Sequence, residues 1–283
     1  MAFRACQNLL VGDANALNGV DFIIVSTTTP DNPCFPSVAA LLGHRLNLGH
    51  VPGVDISAAC TGFIYTLSAA TAWLKSGMYK KILIVCVDLL SRFLNWEDRN
   101  TCVLFGDGAG ALVVEAFDEG EAGGDKSAAP SDILAFDLHA DGGGAHFLNI
   151  PDGGSRSPVS ERTWAEKRQF LTMDGPAVYK FAVSVICETL ITSLGKCGLE
   201  ASAITHFVPH QANIRIIDSA AKRFGLAPEV VRTNLEKYGN TSSASIPLVL
   251  NEIRRSGSLK RGDIVAVVGF GAGLTWGSAI IRW

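Results

Sequence analysis

The chain has 283 residues, 48% hydrophobic and 18% charged, which excludes a disordered or fibrous protein and leaves either one large core or two fused halves. A net charge of −3 excludes a general pull towards nucleic acid or acidic membranes, so an anionic partner must be met by a local basic patch. Seven cysteines without CxxC or Cys/His spacing argue against a zinc site and for a reduced, cytosol-like compartment.

In chain order, residues 1–17 form an amphipathic helix whose apolar core is too short for a signal peptide, and FIIVSTT (22–28) forms a strand. Residues 36–47 form a helix with Pro36 in its first turn. Val54-Asp55-Ile56 ends a strand, and Cys60-Thr61-Gly62 leads into a helix with Phe63, Leu67, Ala70 and Leu74 at helical spacing. No charge follows Cys60 until Lys75, so this helix is apolar all round and belongs in the interior. Strands follow at 81–89 and 108–116, then a Gly/Ala/Ser/acid run at 118–132 that reads as a linker or insertion. The second half supplies a strand at 133–141, a Gly/Pro-rich loop to 158 and a long helix at 175–195. After it come a strand at 205–210, helices at 212–224 and 243–255, and two closing strands. No apolar run approaches the ~20 residues needed to span a bilayer.

The halves echo each other. LKSGMYKKI (Leu74–Ile82) resembles IRRSGSLKR (Ile253–Arg261), and each precedes an apolar strand, a Gly-rich turn and a last strand. This self-similarity predicts a duplication, with halves at 1–117 and 133–283 and the helices after Cys60 and Asn240 lying between two sheets. The second half begins with a strand before its first helix and the first half does not, so the first half lacks one strand.

Three residues carry chemistry. Cys60 sits where a strand hands over to a helix, where unpaired N–H groups and the helix dipole favour the thiolate. His210 ends the strand HFVPH, and Asn240 ends YGN, with Thr241-Ser242-Ser243 as capping material. Singly, each has an ordinary reading: an inert buried thiol, a hydrogen-bonded core histidine, a turn asparagine. Together they fall at strand ends of one duplicated scaffold, where catalytic groups of parallel α/β sheets gather. Gly106-Asp107-Gly108-Ala109-Gly110 opens a strand rather than a helix and is no dinucleotide fingerprint. The other five histidines show no metal spacing, and the other six cysteines read as incidental thiols.

AACTGF around Cys60, FGDGAGA (105–111), HQANIRI (210–216), GNTSSASIP (239–247) and FGAGLTWGSA (270–279) occur in order across nearly the whole chain. On these motifs the sequence resembles the beta-ketoacyl-acyl carrier protein synthase III family of the thiolase superfamily, the condensing enzymes that start type II fatty acid synthesis. The resemblance implies a thiolase-like α/β fold, five-layered α-β-α-β-α, usually as a homodimer. It implies an acyltransferase that uses no cofactor and no metal, with an acyl-CoA and malonyl-acyl carrier protein as substrates, working in the cytoplasm (or the plastid stroma of a plant or alga) without a nucleic-acid or membrane partner. Cys60 would take the acyl group, His210 and Asn240 would donate hydrogen bonds to the malonyl thioester oxygen, and the backbone N–H groups of Cys60 and Ala272 would form the oxyanion hole.

By the same resemblance Arg99, Gly175, Tyr179 and Asn213 would bind CoA, and Lys180, Arg215, Lys222 and Arg223 would receive the acidic carrier protein. Phe35 would cross a dimer interface to close the partner's acyl pocket. The family has roughly fifty further N-terminal residues, including a first strand expected mid-sheet. A papain-type hydrolase shares the order Cys, His, Asn but not the AACTGF context or the duplication. A thiolase would carry a second cysteine near the C-terminal Gly loop, and the elongating condensing enzymes have His in place of Asn240. The remaining alternatives are a condensing enzyme of a specialised acyl or polyketide pathway, and an inactive truncated remnant acting as a binding partner.

Overall fold

The computed structural model describes residues 1–116 and 132–283. The run 118–132 expected as a linker lies outside them except for Asp132. The first half contains α1 (Ala2–Gly12), β1 (Phe22–Ser26), α2 (Val38–Arg45), β2 (Gly53–Ile56), α3 (Gly62–Lys75), β3 (Lys81–Leu89) and β4 (Asp107–Glu115). The second contains β5 (Asp132–Ala140), β6 (Leu148–Asn149), α4 (Glu161–Ala165), β7 (Thr172–Met173), α5 (Gly175–Lys196) and β8 (His206–Pro209). It continues with α6 (Ile214–Phe224), α7 (Leu235–Tyr238), α8 (Ser245–Arg255), β9 (Ile264–Gly271) and β10 (Thr275–Arg282).

Several element ends differ from the sequence pattern, and local hydrogen bonds account for them. Helix α1 stops at Gly12 because Asp13 turns its carboxylate onto the Asn15 N–H at 2.9 Å. Helix α2 begins at Val38 with Pro36 outside it, since Ser37 caps the Ala40 N–H and the Asp55 carboxylate takes the Val38 and Ala39 N–H groups. Helix α6 starts two residues late because Asn213 is its cap, and Gly225 closes it with a left-handed φ of 64°.

Two sheets stack with helices outside and between them. The first has order β2-β1-β3-β4, parallel except for β4, and the second has order β5-β10-β9-β8. One outer core joins α1 and α2 to the first sheet through Cys6, Leu42, Ile23 and Val85. The other joins α5 and α6 to the second through Ile186, Leu190, Ile216 and Phe207. Between the sheets, Phe63, Ile64 and Leu67 of α3 and Ile246, Val249 and Leu250 of α8 form the central core. The layers therefore run α-β-α-β-α, as the duplication predicted.

Topology pairs β1 with β8, β3 with β9 and β4 with β10, while an isolated parallel bridge from Phe207 to Val231 stands in the place of β2. Strand β5 has no counterpart in the first half among the described residues. It pairs only with β10 at the sheet edge, so the position in the first sheet that corresponds to β5 is an edge position beside β4 and not the mid-sheet position expected. A second expectation also needs correcting. Helix α5 has 22 residues and is long and apolar enough by composition to cross a membrane, but here its Ala182, Ile186, Leu190 and Leu194 pack on the second sheet and α6.

Candidate active site

Strand β2 ends at Ile56, and after Ser57-Ala58 the chain makes a 3-10 turn over Ala59–Thr61 before α3. Ala59 adopts a left-handed φ of 46°, a strained conformation for a residue with a Cβ. The turn is held from the second half: the Thr61 hydroxyl donates to the Thr275 carbonyl at 3.1 Å, and the Thr275 hydroxyl donates to Thr61 Oγ1 at 3.0 Å. Cys60 at its centre is 6% exposed. The end of β9 passes so close that a Cβ on Gly271 would lie 2.8 Å from the Cys60 Cβ and 3.2 Å from Sγ, so only glycine leaves the sulfur room.

Asn240 is held by the FGDGAGA segment. Its N–H donates to the Leu104 carbonyl at 2.9 Å and its carbonyl accepts from the Gly106 N–H at 2.8 Å. A Cβ on Gly108 would meet the Thr241 Cβ at 2.7 Å, and one on Gly110 the Pro247 Cβ at 2.5 Å. The motif is thus a smooth strand face on which the Asn240 turn rests. The Asn240 Oδ1 accepts from the Ser242 N–H at 2.9 Å, which leaves the Nδ2 hydrogens as the donors of this side chain.

His210 follows β8 and is 1% exposed. Its Nδ1 lies 2.7 Å from the Ser245 Oγ, and its ring meets Phe270 edge-on at 5.5 Å between centroids. Among the described residues Nε2 forms no hydrogen bond. The serines after Asn240 do not cap a helix as expected: neither the 3-10 turn Ser242–Ala244 nor α8 has a side-chain cap. The Ser242 side chain favours the Cys60 thiolate, Ser243 donates to Asp88 at 2.9 Å, and Ser245 holds His210. Of these, Asp88 and Ser245 were invisible in the pattern. The available signal was four serines and threonines among the five residues after Asn240.

Cys60, His210 and Asn240 line one cavity of about 450 Å³, together with Phe105, Leu148, Met173, Gly175, Tyr179, Asn213, Arg215, Phe270 and Gly271. Asn213 spends its Oδ1 on the Arg215 N–H at 2.9 Å. Ala272 does not line the cavity; its neighbour Gly271 does. Arg99 lies exposed in the turn before Leu104, and Lys180, Lys222 and Arg223 are exposed on the adjoining helices α5 and α6. Phe35 is 85% exposed. The ribbon of β6 and β7 that carries Leu148 and Met173 is tied down by Asp152, which accepts from Thr163 Oγ1 at 2.9 Å, from Ser157 Oγ at 2.8 Å and from Arg168 Nε.

Electrostatics correct one expectation. Burial pushes the Cys60 thiol up to about 12, against the pull of the Ser242 hydroxyl and with the Asp88 carboxylate adding to the rise. In this buried turn desolvation outweighs the helix terminus. Burial also pushes His210 down to about 3, so the imidazole is neutral. All seven cysteines are free thiols, and no group of three or more metal-ligating side chains occurs among the described residues.

Two family profiles match the chain: 3-Oxoacyl-[acyl-carrier-protein (ACP)] synthase III over residues 54–142, and its C-terminal part over residues 194–283. A Beta-ketoacyl-[acyl-carrier-protein] synthase III of Desulfitobacterium hafniense is 44% identical over 283 residues, covering 100% of this chain and 82% of its own. The enzyme of that name from Symbiobacterium thermophilum is 45% identical over 282 residues, 100% of this chain and 82% of its own. Among solved structures, the Thermus thermophilus synthase III superposes with a TM-score of 0.88 at 42% identity, covering 100% of this chain and 83% of that one. The Aquifex aeolicus 3-oxoacyl-[acyl-carrier-protein] synthase III gives 0.88 at 38% identity over the same shares.

Proposed function

The chain belongs to the 3-oxoacyl-[acyl-carrier-protein] synthase III family, and on that premise we propose that Cys60, His210 and Asn240 carry its chemistry. The enzyme is an acyltransferase: it condenses a short acyl-CoA with malonyl-acyl carrier protein, with loss of CO2, to give 3-ketoacyl-acyl carrier protein and so initiates fatty acid synthesis. The Cys60 sulfur attacks the acyl-CoA carbonyl, its proton leaves, and CoA departs as the thiol, leaving an acyl-enzyme. With its resting thiol held protonated, charge appears on sulfur only during attack, where the N–H groups of the turn meet it. The Cys60 backbone N–H would receive the carbonyl oxygen, joined by that of Ala272, which follows the cavity-lining Gly271 in the chain.

Malonyl-acyl carrier protein then loses its carboxylate as CO2, and the electron pair of the broken C–C bond passes into an enolate. The neutral His210 imidazole and the Asn240 Nδ2 amide donate to the thioester oxygen as that charge develops. Both are buried and held beforehand by hydrogen bonds from neighbouring residues, the setting in which such donors are most effective. The carbanion attacks the acyl carbonyl, the C–S bond breaks, and Cys60 recovers its proton. No step requires a metal or a cofactor. The observation that carries this reading is that the three side chains share one cavity.

Arg99, Gly175, Tyr179 and Asn213 would hold the CoA chain. Lys180, Arg215, Lys222 and Arg223 would face the acidic carrier protein. The exposed Phe35 would enter the pocket of a second copy in a homodimer, within a reduced cytoplasm. Residues 1–117 and 133–283 would be the two units of the duplication. The test is a split of half-reactions. Asn240→Ala and His210→Ala should keep acylation of Cys60 by acetyl-CoA and lose CO2 release from malonyl-acyl carrier protein. Variants that decarboxylate at the wild-type rate would contradict the assignment.

A further inference from the structure

We infer that Ser245 sets the tautomer of His210, placing the single imidazole proton on Nε2 and so making this residue the positioning group of the decarboxylating half-reaction. This rests on the reading of His210 as a hydrogen-bond donor. Ser245 is 1% exposed, and its Oγ stands between two groups, 2.7 Å from His210 Nδ1 and 3.3 Å from the Gln211 nitrogen. The Gln211 N–H can only donate, so Oγ accepts there. The hydroxyl hydrogen then needs an acceptor, and among the described residues Nδ1 is the one to which it is hydrogen-bonded.

A neutral imidazole has one N–H and one lone pair. If the proton sat on Nδ1, two N–H groups would converge on Oγ and the hydroxyl hydrogen would be buried without a partner, the arrangement that costs most. With the proton on Nε2 the Gln211 N–H, the Ser245 hydroxyl and Nδ1 are each used once, and the one donor left over is the imidazole N–H available to a ligand of the cavity that His210 lines. The surroundings leave little freedom to escape this. Gln211 is locked by its Nε2 to the Pro209 carbonyl at 2.7 Å and by its Oε1 to the Asn234 N–H at 3.0 Å. Phe270 stands edge-on to the imidazole at 71°. One consequence separates the two half-reactions: an imidazole protonated on Nε2 is a donor there and not a base. It serves the enolate oxygen and does not take the Cys60 proton at that atom.

The experiment is the 15N NMR spectrum of histidine-labelled protein, with His210 assigned by its disappearance in His210→Gln. The expected spectrum has Nδ1 at the unprotonated shift and Nε2 at the protonated shift across the neutral range, without any turnover. Ser245→Ala should populate the other tautomer and slow CO2 release from malonyl-acyl carrier protein by about tenfold, with acylation of Cys60 the less affected half-reaction, and Ser245→Thr should restore the wild-type spectrum. Cys60 acylation by acetyl-CoA reports that the variant is folded. A wild-type His210 protonated on Nδ1, or a folded Ser245→Ala that keeps both tautomer and decarboxylation rate, would overturn the inference. Failure of the catalytic reading is read separately, from decarboxylation that survives in His210→Ala.

Discussion

Two short turns face each other across the middle of the molecule, Ala59–Thr61 before α3 and Ser242–Ala244 before α8. Both are 3-10 turns entered through a left-handed residue that is not glycine, Ala59 at φ 46° and Ser242 at φ 52°. Aligning them places Ser243 opposite Cys60 and Ser245 opposite Gly62. Each turn is met by a strand end from the other half, yet the meetings differ. Cys60 faces Gly271, which supplies only space. Ser243 faces Asp88, whose buried carboxylate takes the Ser243 N–H and hydroxyl and, from the first half, the Thr28 N–H and hydroxyl. One turn of the pair presents a sulfur to a cavity, and the other is bolted down to hold Asn240 and His210 beside it. On the proposed reading, the duplicated scaffold divides between reacting and positioning.

The sharpest way to break this division is to exchange the two centres. Cys60→Ala should lower condensation on the order of 10³-fold or more, and Ser243→Cys placed in that background should not restore it, because its side chain faces Asp88. Rescue, read as product formed from acetyl-CoA and malonyl-acyl carrier protein, would erase the distinction. Removing the bolt comes next. Asp88→Ala leaves buried N–H and hydroxyl donors unpaired and should cost on the order of 3 kcal/mol of stability or more, seen as a lowered denaturation midpoint. An unchanged midpoint would mean that the carboxylate does not hold the turn.

The carboxylate also reaches across to the thiol. With Cys60 raised to about 12, its alkylation should climb about tenfold per pH unit between roughly pH 7 and 9 with no plateau. Asp88→Asn removes a nearby negative charge, favours the thiolate, and should raise the alkylation rate at each pH. A plateau near the ordinary thiol value would contradict the burial seen here. The smallest effect lies on the exposed helices. Lys222→Ala with Arg223→Ala should raise KM for malonyl-acyl carrier protein a few-fold, with weaker effects at higher salt, as for any exposed charge pair. An equal change in KM for acetyl-CoA would sink the docking role.

Much of this was legible in the residues. Strand β3 matches its apolar run at both ends, and α3 and α8 lie between the sheets because the chain repeats itself. The motifs also located Cys60, His210 and Asn240, which line one cavity. Long-range relations were not legible. Asp88 reads as an ordinary polar residue late in a strand, and only its approach to Ser243, 155 positions away, gives it a task. The glycines of FGDGAGA show their purpose only against Thr241 and Pro247 of the other half. Thiol ionisation is not legible either, because local sequence displays the helix start and hides the degree of burial that raises the Cys60 thiol.

Peptide mass spectrometry of the protein after incubation with acetyl-CoA alone tests the central claim most directly. One acetyl group should be found on the peptide containing Cys60, retained in Asn240→Ala and discharged in the wild type by malonyl-acyl carrier protein. Acetyl on another cysteine peptide, or a folded wild-type protein that takes up none, would contradict it.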